Sequence, residues 1–308
     1  MRNGTLDEYA RPPANLNVVN PGAAPEVKPI TLDDAMDVAL FLHTHLNERV
    51  TTAQWAKLLM PPWEDGSSPN RGFQLVDDGT TVGAYAAVYS HREIDGEDRA
   101  VCNLAAFCVL PEYRAHSVRL VRSLLGQRGY VFTDFSPSGN VVAMNERLGF
   151  QHLDTAGRLV VNLPAPNSPG VRVTDDPVAL AERLGGRDAD AFRDHRDAAA
   201  ARHALVETDT AYAYLVYRRE RRKRLPWFAV PLYVGGERDL LRTEWPRVGA
   251  HLLRRGLPFT LAERRLIGFT PSGPGRTFDH NRNKMFRAKD ADVDSLDYLY
   301  SELTLVEW

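Results

Sequence analysis

The chain has 308 residues, 44% of them hydrophobic and 25% charged, with a formal net charge of −2. This balance excludes a disordered chain and fits one large or two ordinary globular domains; it offers no global positive field for nucleic acid. No apolar run approaches the roughly 18–20 residues of a membrane span, so no membrane partner is expected.

The N-terminal segment, residues 1–26, is polar and rich in Pro and Asn. Lacking an apolar core of the secretory type, it reads as a flexible arm rather than a signal. "VKPIT" (residues 27–31) then predicts a short strand, and Thr31 with Asp34 three residues on predicts the start of a helix over residues 32–49. A second short helix, "TAQWAKLLM", ends at Pro61. Residues 72–110 read as three strands of a meander, with turns at Asp78-Gly79 and Asp95-Gly96. A turn, a helix over residues 115–126, the strand "YVFTDF", a short helix "GNVVAMNERLGF" and two strands near residues 151–154 and 159–163 complete this half.

Cys102 and Cys108 are the only cysteines. Six residues apart on one strand, they lie about 20 Å from each other, too far for a disulfide. A reducing, cytoplasmic setting is expected. Two thiols with no suitably spaced histidines do not build a metal site, so no metal is expected.

The segment "PAPNSPG" (residues 164–170) has linker composition, which divides the chain into halves at 27–163 and 171–308. The order of elements then repeats. "HALVETDTAYAYLVYRRER" follows two helices and parallels "GFQLVDDGTTVGAYAAVYSHRE", and "PWFAVPLYVGG" stands where "NLAAFCVLPEY" stood. A long helix over residues 237–255, a strand "FTLAERRLIG", a polar loop over residues 269–290, and a tail reading as helix and strand follow. An internal duplication is expected.

The stretch "VCNLAAFCVLPEYRAHSVRLVRSLL" is a strand, a turn and a helix. A helix N-terminus presents free N–H groups and the positive end of the helix dipole, and therefore attracts anions. The same residues also suffice for plain packing, through Leu110, Val118, Leu120, Val121, Leu124 and Leu125. "VLPEYRAHSVRLVRSLL" followed by "NVVAMNERLGF" resembles the two signature segments of the GNAT acyltransferase superfamily. The resemblance spans about residues 29–163. It implies an α+β fold with a mixed, mostly antiparallel sheet flanked by helices, here in tandem. It further implies an acyl-CoA co-substrate, acetyl-CoA by default, lying between splayed strands while an amine, small or peptidic, attacks the thioester. The cofactor-binding positions it suggests are Phe107, Cys108 and Val109 on the strand, Arg114, Ala115, His116, Ser117, Val118 and Arg119 on the turn, and Asn140 at the next helix. Tyr85, Tyr89 and Tyr113 are candidates for lining the substrate site.

The departures are specific. Ser117 and Arg119 stand where the resemblance calls for small, glycine-like residues that admit phosphate to the backbone; Arg119 is itself a good phosphate partner. Asn145 falls where many members carry an acid-donating tyrosine, and an amide cannot do that work. The catalytic residues are therefore left unassigned. "YRRERRKRL" (residues 217–225) carries six positive charges around Glu220, either as a solvated turn or as a landing strip for a polyanion. That run motivates an alternative donor, aminoacyl-tRNA, on the same tandem fold. The missing acid and base motivate another, a binding protein without catalysis. In the long loop, Asp279, His280, Asn281 and Arg282 are further candidates for substrate contact.

Overall fold

The computed structural model describes residues 24–94, 96–289 and 296–307. The expected arm falls almost wholly outside them, as do Asp95 of one expected turn and the start of the tail. Two seven-stranded sheets carry the fold. In the first half the order is β1 (Glu26–Pro29), α1 (Ala35–His45), α2 (Thr52–Leu59), β2 (Gly72–Asp77), β3 (Thr80–Ile94), β4 (Glu97–Val109), a 3-10 turn (Pro111–His116), α3 (Ser117–Leu125), β5 (Tyr130–Asp134), α4 (Asn140–Arg147), β6 (Gln151–His152) and β7 (Gly157–Val161). The second half runs β8 (Arg172–Thr174), α5 (Pro177–Arg183), α6 (Gly186–His195), β9 (Arg202–Glu207), β10 (Tyr212–Arg222), β11 (Leu225–Gly236), α7 (Arg238–Thr243), α8 (Trp245–Arg254), β12 (Phe259–Glu263), α9 (Arg264–Ile267), β13 (Gly275–Phe278), β14 (Met285–Arg287) and α10 (Glu302–Leu305).

The meander of β2, β3 and β4 follows from its turn chemistry. Asp78 and Gly79 both hold positive φ, 46° and 76°, the geometry of a two-residue hairpin whose twist matches its strands. Lys223 and Arg224, at 48° and 71°, make the corresponding tight turn between β10 and β11. The expected helix over residues 237–255 is instead α7 and α8, because Pro246 opens a new helix and cannot continue the old one. The expected strand over residues 259–268 ends at Glu263 and turns into α9. The polar loop of residues 269–290 contributes two short strands, and the described part of the tail holds α10 and no strand.

The sheets read β1-β2-β3-β4-β5-β14-β6 and β8-β9-β10-β11-β12-β7-β13. Position by position they correspond, including one parallel pair in each, β4 with β5 and β11 with β12. This is a duplicated GNAT-like α+β fold. The sixth strand of each sheet comes from the opposite half: β7 pairs with β12, and β14 pairs with β5. The chain thus crosses between sheets around residues 153–156 and returns around 279–284, rather than at the Pro/Ser/Asn segment. One core joins both halves, with Trp55, Val88 and Phe135 packed in the same cluster as Leu205, Leu232 and Tyr298.

Candidate functional site

The parallel pairing of β4 with β5 stops at Asn103 and Thr133. Two residues later β4 carries a bulge: Ala86 and Ala87 of β3 face Ala106 and Leu104, leaving Ala105 extra. A bulge bends its strand and re-aims the residues beyond it, so β4 leaves β5 and a fork opens. A cavity of about 300 Å³ fills the fork, lined by Tyr85, residues 104–107, Asp134, residues 136–138, Val141 and, from the far side, Leu46, Asn47 and Arg282.

Asp134 ends β5 at the floor of this cavity. Asn145 is fully buried and its Nδ2 donates to Asp134 Oδ2 at 2.8 Å. The position where the resemblance calls for an acid therefore holds a group that anchors a carboxyl. Burial first, and then the nearby Glu302, push the Asp134 carboxyl up to about 8. No cation pairs with it among the described residues. Glu302 belongs to the C-terminal tail and enters at the vertex of the fork: its backbone N–H donates to Asn103 Oδ1 (3.1 Å), and Asn103 Nδ2 donates in turn to Thr133 Oγ1 (3.1 Å). Ser136, on the cavity wall, donates its hydroxyl to Glu302 Oε1 at 2.7 Å. Burial raises the Glu302 carboxyl to about 7. The Tyr85 hydroxyl is buried without a protein partner among the described residues, and burial, then Asp134, hold its pKa well above that of a free phenol.

Of the positions suggested by sequence, Phe107 and Tyr85 line the cavity. Cys108 and Val109 lie just beyond on β4, half-buried; burial lifts the Cys108 thiol to about 11, which leaves no thiolate. Arg114, Ala115 and Val118 are exposed, and His116, Ser117 and Arg119 are half-buried. The turn is helical throughout. Tyr113 N–H bonds the Leu110 carbonyl and Ser117 N–H bonds the Arg114 carbonyl, so these two amides already have partners. The Arg119 guanidinium donates to the Pro25 carbonyl ahead of β1. Asn140 is the exposed first residue of α4. Tyr113 donates to Asp77, and Tyr89 hydrogen-bonds Asn70 (2.6 Å) and Gln127 (2.8 Å) at the other end of β3, so neither reaches the fork. Arg282 reaches the fork and is held by Glu220 at 3.3 Å; Asn281 turns to Glu263 (2.9 Å) instead.

The second sheet has the same fork, filled from within. β11 pairs with β12 only at Phe228 and Ala229, and its extra residue is Leu232. Glu263 ends β12 as Asp134 ends β5, but it accepts from Lys284 Nζ, Asn281 Nδ2 and the Tyr298 hydroxyl (2.6 Å). The tail's Tyr298 N–H caps the Leu232 carbonyl. At the turn after β11, Asp188 accepts from the Gly236 amide (2.9 Å) and from Tyr212 and Tyr233. An internal carboxylate thus occupies the amide that an anion would seek.

Sequence reasoning missed Asp134 and Glu302. The repeat held one signal, since "YVFTD" and "FTLAE" both end a strand on an acid. Nothing local points to Glu302, whose partner Asn103 is distant in sequence.

The protein has a GNAT-superfamily fold. It superposes on a GCN5-related N-acetyltransferase from Anabaena variabilis with a TM-score of 0.54 at 10% identity, covering 85% of this chain and 72% of that one. A protein from Enterococcus faecalis described as a probable N-acyltransferase gives 0.55 at 12%, covering 86% and 73%. A GCN5-related N-acetyltransferase from Kribbella flavida gives 0.50 at 14%, covering 85% and 71%. No protein-family profile and no curated protein matches the chain. Among the described residues no helix is long and apolar enough to cross a membrane, and no group of His, Cys, Asp and Glu is arranged to hold a metal ion.

Proposed function

We propose that the first half (residues 27–163) is an acyl-CoA-dependent N-acyltransferase, acetyl-CoA being the default donor, and that the second half (171–308) is a degenerate copy. The carrying observation is the contrast between the forks: one open onto an acid without a cation, the other closed on its own lysine and tyrosine. In this reading the thioester lies against the bulged segment of β4, whose edge toward β5 is unpaired beyond Asn103. The acceptor amine enters past Leu46, Asn47 and Arg282.

As the amine nitrogen bonds to the thioester carbon, its proton passes to ionised Asp134, and the carbon–sulfur bond then breaks to release the CoA thiolate. A base whose pKa lies near the working pH is well matched to that transfer. Tyr85, which keeps its proton, can hydrogen-bond the departing sulfur. Asn145 positions Asp134, and Glu302 sets its affinity for protons. The turn at residues 111–119 contributes exposed arginine rather than a cradle of amides.

The donor distinguishes this reading from its rivals. Calorimetry should give micromolar binding of acetyl-CoA and CoA, abolished by Ala106→Trp in the cavity wall. Salt-sensitive retention of tRNA without CoA binding would favour the aminoacyl-tRNA donor, and neither would favour a binding protein. The basic run gives the tRNA reading little support. Arg218 is buried and bonded to the Val306 carbonyl, Arg222 pairs with Glu220, and Arg219 bonds the Arg255 carbonyl. Of this run, only Arg221, Lys223 and Arg224 face solvent without a partner among the described residues, at a single turn.

A further inference from the structure

The first sheet has a second hollow at the opposite end from the fork. Tyr130 begins β5 and Asp134 ends it, so the two openings lie about 13 Å apart along the strand. This hollow, about 150 Å³, is walled by Trp63, Tyr89, Tyr130 and Tyr300 and rimmed by Glu64, Asp65 and Asp194. Among the described residues no lysine or arginine lines it; the one basic side chain in its wall is His91.

The aromatic rings form two perpendicular pairs. Trp63 and Tyr300 stand at 75° with centroids 5.2 Å apart, and Tyr89 and Tyr130 at 71° and 5.5 Å. The Trp63–Tyr300 corner is partly spent within the protein, Trp63 lying against the His195 ring at 4.7 Å and the Arg92 guanidinium 5.7 Å over Tyr300. Among the described residues no cation lies over Tyr89 or Tyr130, and a ring face is the electron-rich surface that attracts one. The rings are fixed by their other contacts: Trp63 Nε1 donates to the Tyr89 carbonyl (3.2 Å), and Tyr300 donates to Asp194 Oδ2 (2.8 Å). Asp65 is braced by the Ser67 amide (2.9 Å), and that hydrogen bonding holds its carboxyl below the usual range, so it stays ionised. One polar atom in the wall is left over. The Ser90 hydroxyl is buried and has no hydrogen-bond partner among the described residues.

Aromatic corners, acidic rim and a single unmet hydroxyl point to one ligand chemistry. We propose that this hollow binds a small alkylammonium ion carrying one hydrogen-bonding group, the ammonium against Tyr89 and Tyr130 and the polar group on Ser90. Glu64 and Asp194 are paired with Arg71 (3.8 Å) and Arg193 (3.0 Å), so Asp65 supplies the long-range attraction and the rings the short-range selectivity. The site is separate from the fork and does not depend on the acyl-transfer reading.

The probe is choline, set against 3,3-dimethylbutan-1-ol, which has the same shape with carbon in place of the charged nitrogen. Calorimetry on the full chain should show choline binding at least tenfold tighter than the alcohol. Asp65→Asn, an exposed substitution that leaves the fold intact, should weaken choline several-fold, and Tyr130→Ala should weaken it further. Asp134→Asn should leave it unchanged. Absence of choline binding, equal affinity for the two probes, or loss of binding in Asp134→Asn would each overturn the assignment.

Discussion

Replacing Glu302 by Gln should leave more of Asp134 ionised at neutral pH while removing an acid from the fork. Asp134 titrates at about 8, raised by burial first and by Glu302 second. At pH 7 a group of that pKa is ionised in about one molecule in eleven. Like charges roughly 8 Å apart at an effective dielectric of about 20 repel by about 2 kcal/mol, or one to two pKa units. Glu302, at about 7, is itself only half ionised at neutral pH, so the lower figure applies. A fall of about one unit raises the ionised fraction of Asp134 at pH 7 to about one half, a gain of about fivefold. The gain should vanish on the alkaline plateau, where Asp134 is ionised in both proteins. The carboxyl carbon shift of Asp134 in carbon-13-labelled protein gives the midpoint directly, without an acceptor. The pH–rate profile with any accepted amine then reports its consequence. Glu302→Gln keeps an oxygen for Ser136, so packing is preserved. An unmoved midpoint, or a plateau rate that falls with the substitution, would refute the roles given to the two acids.

Both carboxyls also link stability to pH. Their folded pKa values lie above the unfolded ones, so their contribution is complete below about pH 4 and is lost as pH rises through about 7 and 8; the urea midpoint should fall across about pH 4–8, level off above that, and fall less in Asp134→Asn. Lys284→Met should destabilise by about 3–5 kcal/mol, because it strands the buried Glu263 carboxylate, and the double variant with Glu263→Gln should recover part of that in urea melts. Asn145→Leu removes a hydrogen bond that lowers the Asp134 pKa; its midpoint should rise and the acyl-transfer rate at pH 7 should fall with it. Arg119→Glu should leave acetyl-CoA affinity within about twofold, since the guanidinium is committed to the Pro25 carbonyl; a tenfold loss by calorimetry would return that side chain to the phosphates.

Local chemistry decided which features were legible in the sequence. Alternation and the Asp78-Gly79 turn announced the meander, and the resemblance at residues 109–125 and 140–150 located the fork's strand and the helix beside it. The same resemblance singled out the turn at 114–119, but a continuous helical path uses amides there that spacing alone left free. β13 and β14 were hidden because each is only three or four residues long in a Gly- and Asn-rich segment, and their partners lie in distant elements. Trp63 and Tyr300, 237 positions apart in sequence, meet only through tertiary packing.

The borrowed sixth strands give the second half a structural duty of its own. A fragment ending at residue 163 would expose the outer edge of β5 and carry β7 with no sheet to receive it, inviting association between fragments. The polypeptide of the second half cannot be trimmed away, for its β14 props the wall of the open fork. Substitutions that silence that half are tolerable; those that loosen it would be felt at Asp134.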